Sequence, residues 1–159
     1  MADPETIDLG RPVAHQPAPS LDLTSGVLDD TSFGSVLGCA MELAQDADTE
    51  ITLGLLVVAD PTPPIIQLVA DSLRAVDAIG LLDDGAIAIL FGTGSRLGAA
   101  AALRRTAETI GATPGCGDVQ AVLTHRSGPV DTTEDLVSAT RAQLAAPSPN
   151  GQSEVRARR

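Results

Sequence analysis

The amino-acid sequence predicts an α/β domain of the α+β kind, a βαββαβ core in which an antiparallel, ferredoxin-like sheet carries helices on its faces. Three observations lead there. Residues 51–59 (ITLGLLVVA) form a continuous apolar run, the pattern of a central strand covered on both sides. Asp83-Asp84-Gly85 stands between two short apolar runs and is a hairpin signal. Segments of helical period lie before, between and after these strands.

Taken in order, residues 31–47 place Phe33, Val36, Leu37, Ala40, Met41 and Ala44 at helical spacing, with Thr31 or Ser32 as N-cap. Cys39 is expected on the apolar face of this helix, as a buried thiol. The strand at 51–59 runs into Asp60-Pro61-Thr62-Pro63-Pro64, read as a stiff turn. Residues 65–76 form a helix with Ile65, Leu68, Val69, Ser72, Leu73 and Val76 on one side. Strands follow at 78–82 and 86–91, then a strand-to-helix loop at 92–95 and an Ala- and Arg-rich helix at 96–110. Cys116 sits in a Gly/Pro loop with no metal spacing to any partner. Residues 119–124 read as the last strand. Asp131 or Thr132 caps a final helix at 134–144, whose Glu134 and Asp135 favour its positive end.

Residues 1–21, with four prolines, are expected to be a disordered arm, and 147–159 a disordered tail; the folded domain is expected over 22–146. The chain has 159 residues, enough for one modest core. Phe33 and Phe91 are its only aromatic residues, so Ala, Val, Leu and Ile must build that core, and no stacking platform for single-stranded nucleic acid is available. The formal net charge of −11 repels a phosphate backbone, which argues against nucleic acid as a partner. The absence of lysine fits the composition of a GC-rich bacterial genome. No segment reads as a signal peptide or is apolar for long enough to insert in a membrane, so a cytoplasmic location is expected.

At the hairpin the sequence resembles the GGDEF, or diguanylate cyclase, family. That family carries Gly-Gly-Asp/Glu-Glu-Phe on a β-hairpin, preceded by Arg-x-x-Asp and followed by a strand of small apolar residues. Here the stretch is Arg74-Ala75-Val76-Asp77, then AIGLL, then Asp83-Asp84-Gly85-Ala86-Ile87, then AILF. The segment at 22–33 is similar to the family's opening motif, with Asp22, Gly26, Leu28 and Phe33 in place. The resemblance covers about 22–146 and implies a degenerate GGDEF-like domain. In the family the signature glycines let the substrate's base and phosphates approach the backbone, and its acidic residue holds metal together with an Asp at the end of the first strand. Here Asp83 and Asp84 replace the glycines, and Gly85, Ala86 and Ile87 replace the remaining signature residues. Side chains at the glycine positions would crowd a nucleotide and repel its phosphates. The expectation is therefore no catalytic residues, no metal, no cofactor and no enzyme activity. Asp60, Asp83 and Asp84 read as solvated turn residues rather than metal ligands.

The resemblance implies a ligand-binding role for the other motif. In active relatives Arg-x-x-Asp is an inhibitory site for cyclic di-GMP, and an Arg on the helix after the signature contributes. Arg74, Asp77 and Arg105 are the corresponding candidates; a planar guanidinium grips phosphate or a guanine edge with two parallel hydrogen bonds. The plainer reading makes Arg74 and Asp77 a surface ion pair at a helix C-terminus and Arg105 a solvated charge. Two functions follow: a cyclic di-GMP receptor that signals to a partner protein, or a nucleotide-independent structural or adaptor domain working through protein–protein contacts, homodimerisation among them. His15 and His125 have no second ligand at metal spacing, and His125, Ser127 and Asp131 do not make a triad.

Overall fold

The computed structural model describes residues 26–92, 95–127, 132–145 and 155–157. The arm expected at 1–21, the start of the opening motif at Asp22, the cap alternative Asp131 and most of the C-terminal tail lie outside them.

The strands are β1 (Val27–Leu28), β2 (Glu50–Val58), β3 (Ala78–Leu81), β4 (Ile87–Phe91), β5 (Val119–Ser127) and β6 (Val155–Ala157). The helices are α1 (Asp30–Ala47), α2 (Pro63–Ser72), α3 (Arg96–Gly111) and α4 (Thr133–Ala145). The sheet order is β1-β3-β4-β2-β5-β6. β2, α2, β3, β4, α3 and β5 make the expected βαββαβ core, and every pairing within it is antiparallel. The two strands outside the expected core differ in kind. β1 pairs parallel with β3, and β6 pairs antiparallel with β5 at Val119–Ala121, inside the stretch expected to be a tail. An unpaired edge of β5 offers a row of free amides and carbonyls, and a short passing segment satisfies some of them.

Beyond Glu50, β2 is apolar except for Thr52 because the sheet is covered on both sides. Leu56 and Val58 join Ile87, Ile89, Phe91 and Leu123 beneath α2 and α3. Ile51, Leu53 and Leu55 join Ala88, Leu90 and Val122 beneath α1 and α4. Successive side chains of a strand point to opposite faces, so the run splits between two cores.

The helix boundaries depart from expectation in instructive ways. The cap of α1 is Asp29, whose carboxylate accepts from Ser32 N at 2.7 Å. Thr31 and Ser32 lie inside the helix. Asp29→Ala is expected to cost about 1 kcal/mol, read as a shift in the urea midpoint at unchanged slope. Pro63 and Pro64 are the first residues of α2, where a missing N–H costs nothing. α2 then ends at Ser72, short of the expected Val76. The Asp77 carboxylate takes the Arg74 N–H at 3.0 Å, the amide that would have continued the helix. For α4, Thr132 Oγ1 accepts from Asp135 N at 3.1 Å. Cys39, expected to be a buried thiol, is exposed, and Cys116 is buried. Cys39 falls off the Phe33–Leu37–Ala40–Met41–Ala44 stripe that α1 turns inward.

Candidate functional site

β3 is only four residues long, and the two candidate regions stand at its opposite ends. At one end is the hairpin. Gly85 N donates to Leu82 O at 2.9 Å, and Leu82 N donates to Ala86 O at 2.9 Å. Gly85 has φ +86°, the left-handed conformation that a three-residue hairpin needs at its last position. The Asp84 carboxylate accepts from Ala86 N at 3.1 Å, and Asp83 N donates to the carboxylate of Asp30 in the first turn of α1 at 3.1 Å. The hairpin is thereby tied to α1. It is also tied to α4, because Arg141 forms an ion pair with Asp84.

Between α1, α4 and this hairpin lies a cleft of about 400 Å³. Phe33, Leu37 and Leu82 line its apolar part. Its polar side carries the carboxylates of Asp30, Asp83, Asp84 and Glu134 against the one guanidinium of Arg141. A polyphosphate entering here meets an excess of negative charge, and Arg141 is already engaged by Asp84. Asp60 is exposed beyond the end of β2. Among the described residues, no three of His, Cys, Asp or Glu are grouped to hold a metal ion.

At the other end of β3 stand Arg74 and Asp77. The Asp77 side chain is only 1% exposed, whereas that of Arg74 is 59% exposed. One Asp77 oxygen accepts from Arg74 N, and the other accepts from Gly92 N at 2.9 Å and lies 3.6 Å from the Arg74 guanidinium. Asp77 N closes the turn onto Arg74 O at 3.0 Å. The two form an ion pair just beyond the end of α2, exposed on the arginine side, and the aspartate does more than pair. The aspartate is a buried staple joining the 74–77 turn to the end of β4, and the arginine is its outward-facing branch. With its side chain 1% exposed, Asp77 presents little surface to a ligand, and Arg74 is the exposed member of the pair.

Arg105 is exposed on α3. It lies two residues from the buried Leu103, close to the opposite side of a helix with 3.6 residues per turn. Arg104, beside it, lies 4.0 Å from Glu108. The structure brings Arg74 and Asp77 together and sets Arg105 on the solvent face of a neighbouring helix. None of the three lines the hairpin cleft. Sequence reasoning missed Arg141 and Asp30 in that cleft. Each meets the hairpin across a long sequence separation, and no local motif marks such a contact.

No family model matches the chain, and no curated protein matches it either. Solved structures do. The GGDEF domain of FimX from Pseudomonas aeruginosa superposes with a TM-score of 0.68 at 15% identity, over 80% of this chain and 93% of that one. This chain has a GGDEF-like fold. A coiled coil and GGDEF domain of DgcB from Caulobacter crescentus, solved in complex with c-di-GMP, gives a TM-score of 0.63 at 16% identity over 78% of each chain. The diguanylate cyclase SiaD from Pseudomonas aeruginosa, solved with its activator SiaC, gives 0.59 at 17% identity, over 80% of this chain and 57% of that one. The hairpin expected from the sequence is present, and the residues in and after it are Asp83, Asp84, Gly85, Ala86 and Ile87.

Proposed function

We propose that this GGDEF-like domain is a catalytically inactive signalling module of the bacterial cytoplasm that binds cyclic di-GMP through Arg74, with Asp77 positioning that arginine and Arg105 supplying a second cation. The observation that carries the reading is the division of labour at the 74–77 turn. A buried carboxylate fixes the turn through two backbone amides while the guanidinium stays exposed. A cation whose backbone is already fixed loses less freedom on binding than one on a mobile segment. The DgcB domain solved with c-di-GMP supports the choice of ligand. Inactivity is supported by the acidic hairpin cleft and, through the resemblance, by Asp83 and Asp84 in place of the signature glycines.

The test is calorimetric titration with cyclic di-GMP. Saturable binding is expected, weakened tenfold or more by Arg74→Ala and less by Arg105→Ala, since the guanidinium that reads the phosphate contributes most. The absence of binding at millimolar ligand, or binding indifferent to Arg74→Ala, would sink the receptor reading. Incubation with GTP and Mg²⁺ is expected to give no cyclic di-GMP, and turnover would overturn the assignment of inactivity.

The adaptor reading has its own support in the exposed apolar side chains Leu43, Val76 and Leu97, the last 82% exposed. SiaD, solved with an activator protein, is a precedent for protein partners on this fold. If cyclic di-GMP does not bind, these positions are the first to substitute in a search for a partner protein or a homodimer.

A further inference from the structure

A second concave site lies between the start of α3, the end of β5 and the face of α4. It is a polar cleft of about 250 Å³ lined by Arg96, Leu123, Thr124, His125, Arg126 and Gln143. It shares no residue with the hairpin cleft or with the Arg74–Asp77 turn.

Its charge is anomalous for this protein. The chain carries 21 acidic residues against 10 arginines. Arg96 and Arg126 nevertheless line one cleft, and among the described residues neither is in an ion pair. Arg96 is the first residue of α3, where the unpaired amides already make the electrostatic potential positive. A cation there works against the helix, and no acidic residue stands in that first turn to offset it. Arg126 adds a third positive element to the same place. A residue choice that opposes its own secondary structure, with no internal compensation, is the kind expected at a functional position.

The nearby acid is already engaged elsewhere. Glu50 on β2 is bound through its carboxylate to His125 Nε2, and the other ring nitrogen of His125 meets Thr52 Oγ1 at 2.7 Å. This chain across β2 and β5 uses both nitrogens of His125. The cleft also contains an unsatisfied polar group. Gln143 Nε2 bonds Thr124 Oγ1 at 2.9 Å, while Gln143 Oε1 is buried without a hydrogen-bond partner. Exchanging the amide's O and N lets Thr124 donate to Oε1 and leaves Nε2 as the group without a partner. In the exchanged orientation the unpartnered group is a donor, and an acceptor in the cleft would satisfy it once the Gln143 side chain turns outward.

We infer that this cleft is an oxyanion site that takes the phosphate group of a small molecule, gripped by Arg96 and Arg126 and oriented by Gln143. Two guanidinium forks suit the several acceptor oxygens of a phosphate better than the two of a carboxylate.

The test uses inorganic phosphate as probe, followed by ¹H–¹⁵N correlation spectra of the whole chain at constant ionic strength. Saturable shifts at Leu97, Arg126 and the Gln143 side chain are expected, with acetate binding at least fivefold more weakly. Arg96→Gln and Arg126→Gln should each weaken phosphate tenfold or more. Arg104→Gln removes the same charge from the outer face of α3 and should change it less than twofold, which separates a local site from the effect of net charge. Both lining arginines are exposed, so a dispersed spectrum will show that the variants fold. Shifts that grow linearly without saturating, or saturable binding that Arg126→Gln leaves intact, would overturn the assignment. Acetate binding as tightly as phosphate would overturn the choice of phosphate.

Discussion

Phe33→Ala is expected to lower the stability of the domain by about 3–5 kcal/mol, the range for truncating a fully buried aromatic side chain. Phe33 is 1% exposed and packs in the core beneath α1 and α4 with Leu37, Leu53, Leu55, Leu82 and Leu136. Only one other aromatic residue exists in the chain, so no neighbouring ring can swing into the space. The residues around it are pinned from several sides. Leu82 belongs to the hairpin turn, and Leu53 and Leu55 lie on β2 between β4 and β5. Cavities with such walls collapse poorly. Urea denaturation followed by far-UV circular dichroism reads the change as a lower midpoint at nearly unchanged slope. A loss below about 1.5 kcal/mol would mean that the site relaxes like a surface position.

Gly80→Ala is expected to cost about 3 kcal/mol, the upper end for inserting one carbon into a packed core. A Cβ at Gly80 would lie 2.4 Å from Phe33 Cγ and 2.5 Å from Phe33 Cβ. These are the near atoms of the side chain, so a rotamer change cannot clear them and α1 itself would have to shift. β3 cannot yield instead, because Gly80 is paired with Ala88 on one side and Leu28 on the other. The two substitutions should couple. Phe33→Ala clears the ring atoms but keeps the Cβ that lies 2.5 Å away, so the relief there is partial; in a Phe33→Gly background both contacts are gone and Gly80→Ala should cost at least about 1 kcal/mol less than alone. Additive effects in this double-mutant cycle would show that Gly80 is not held against Phe33.

Much of the core was legible because one signal was strong. Residues 51–59 could be read as a doubly covered strand from hydrophobicity alone, and the hairpin from Asp83-Asp84-Gly85, since both depend on short-range rules. The end of α2 was not legible. Ser72, Leu73 and Val76 keep a helical period, but the Asp77 carboxylate captures the Arg74 amide and Gly92 holds that carboxylate from fifteen residues away. The apolar period persisted past the point where a side chain had replaced the helical hydrogen bond. For the candidate site the consequence was direct. Arg-x-x-Asp was visible as a motif, but that its aspartate is a buried staple is a fact of β4. The meeting of Arg96 with Arg126 was not legible for a related reason: a strand end and a helix start come together there without any shared spacing. Cys39 was a simpler error, a residue beside the stripe of α1 read as part of it.

The topology also sets an order of events during synthesis. β2 is a long, largely apolar strand at the centre of the sheet, flanked by β4 and β5. Its partner on the β5 side is far away in sequence, since Glu50 pairs with Ser127 and Val58 with Val119. A ribosome adding ~5–20 residues per second leaves that edge of β2 without its partner for seconds after the strand emerges. Until β5 arrives, a bare strand of ITLGLLVV can pair with its own kind on another nascent chain. The closure of β2 onto β5 spans the longest loop in the core and is thus expected to be the slow step, the one in which competing association between chains costs the most folded protein.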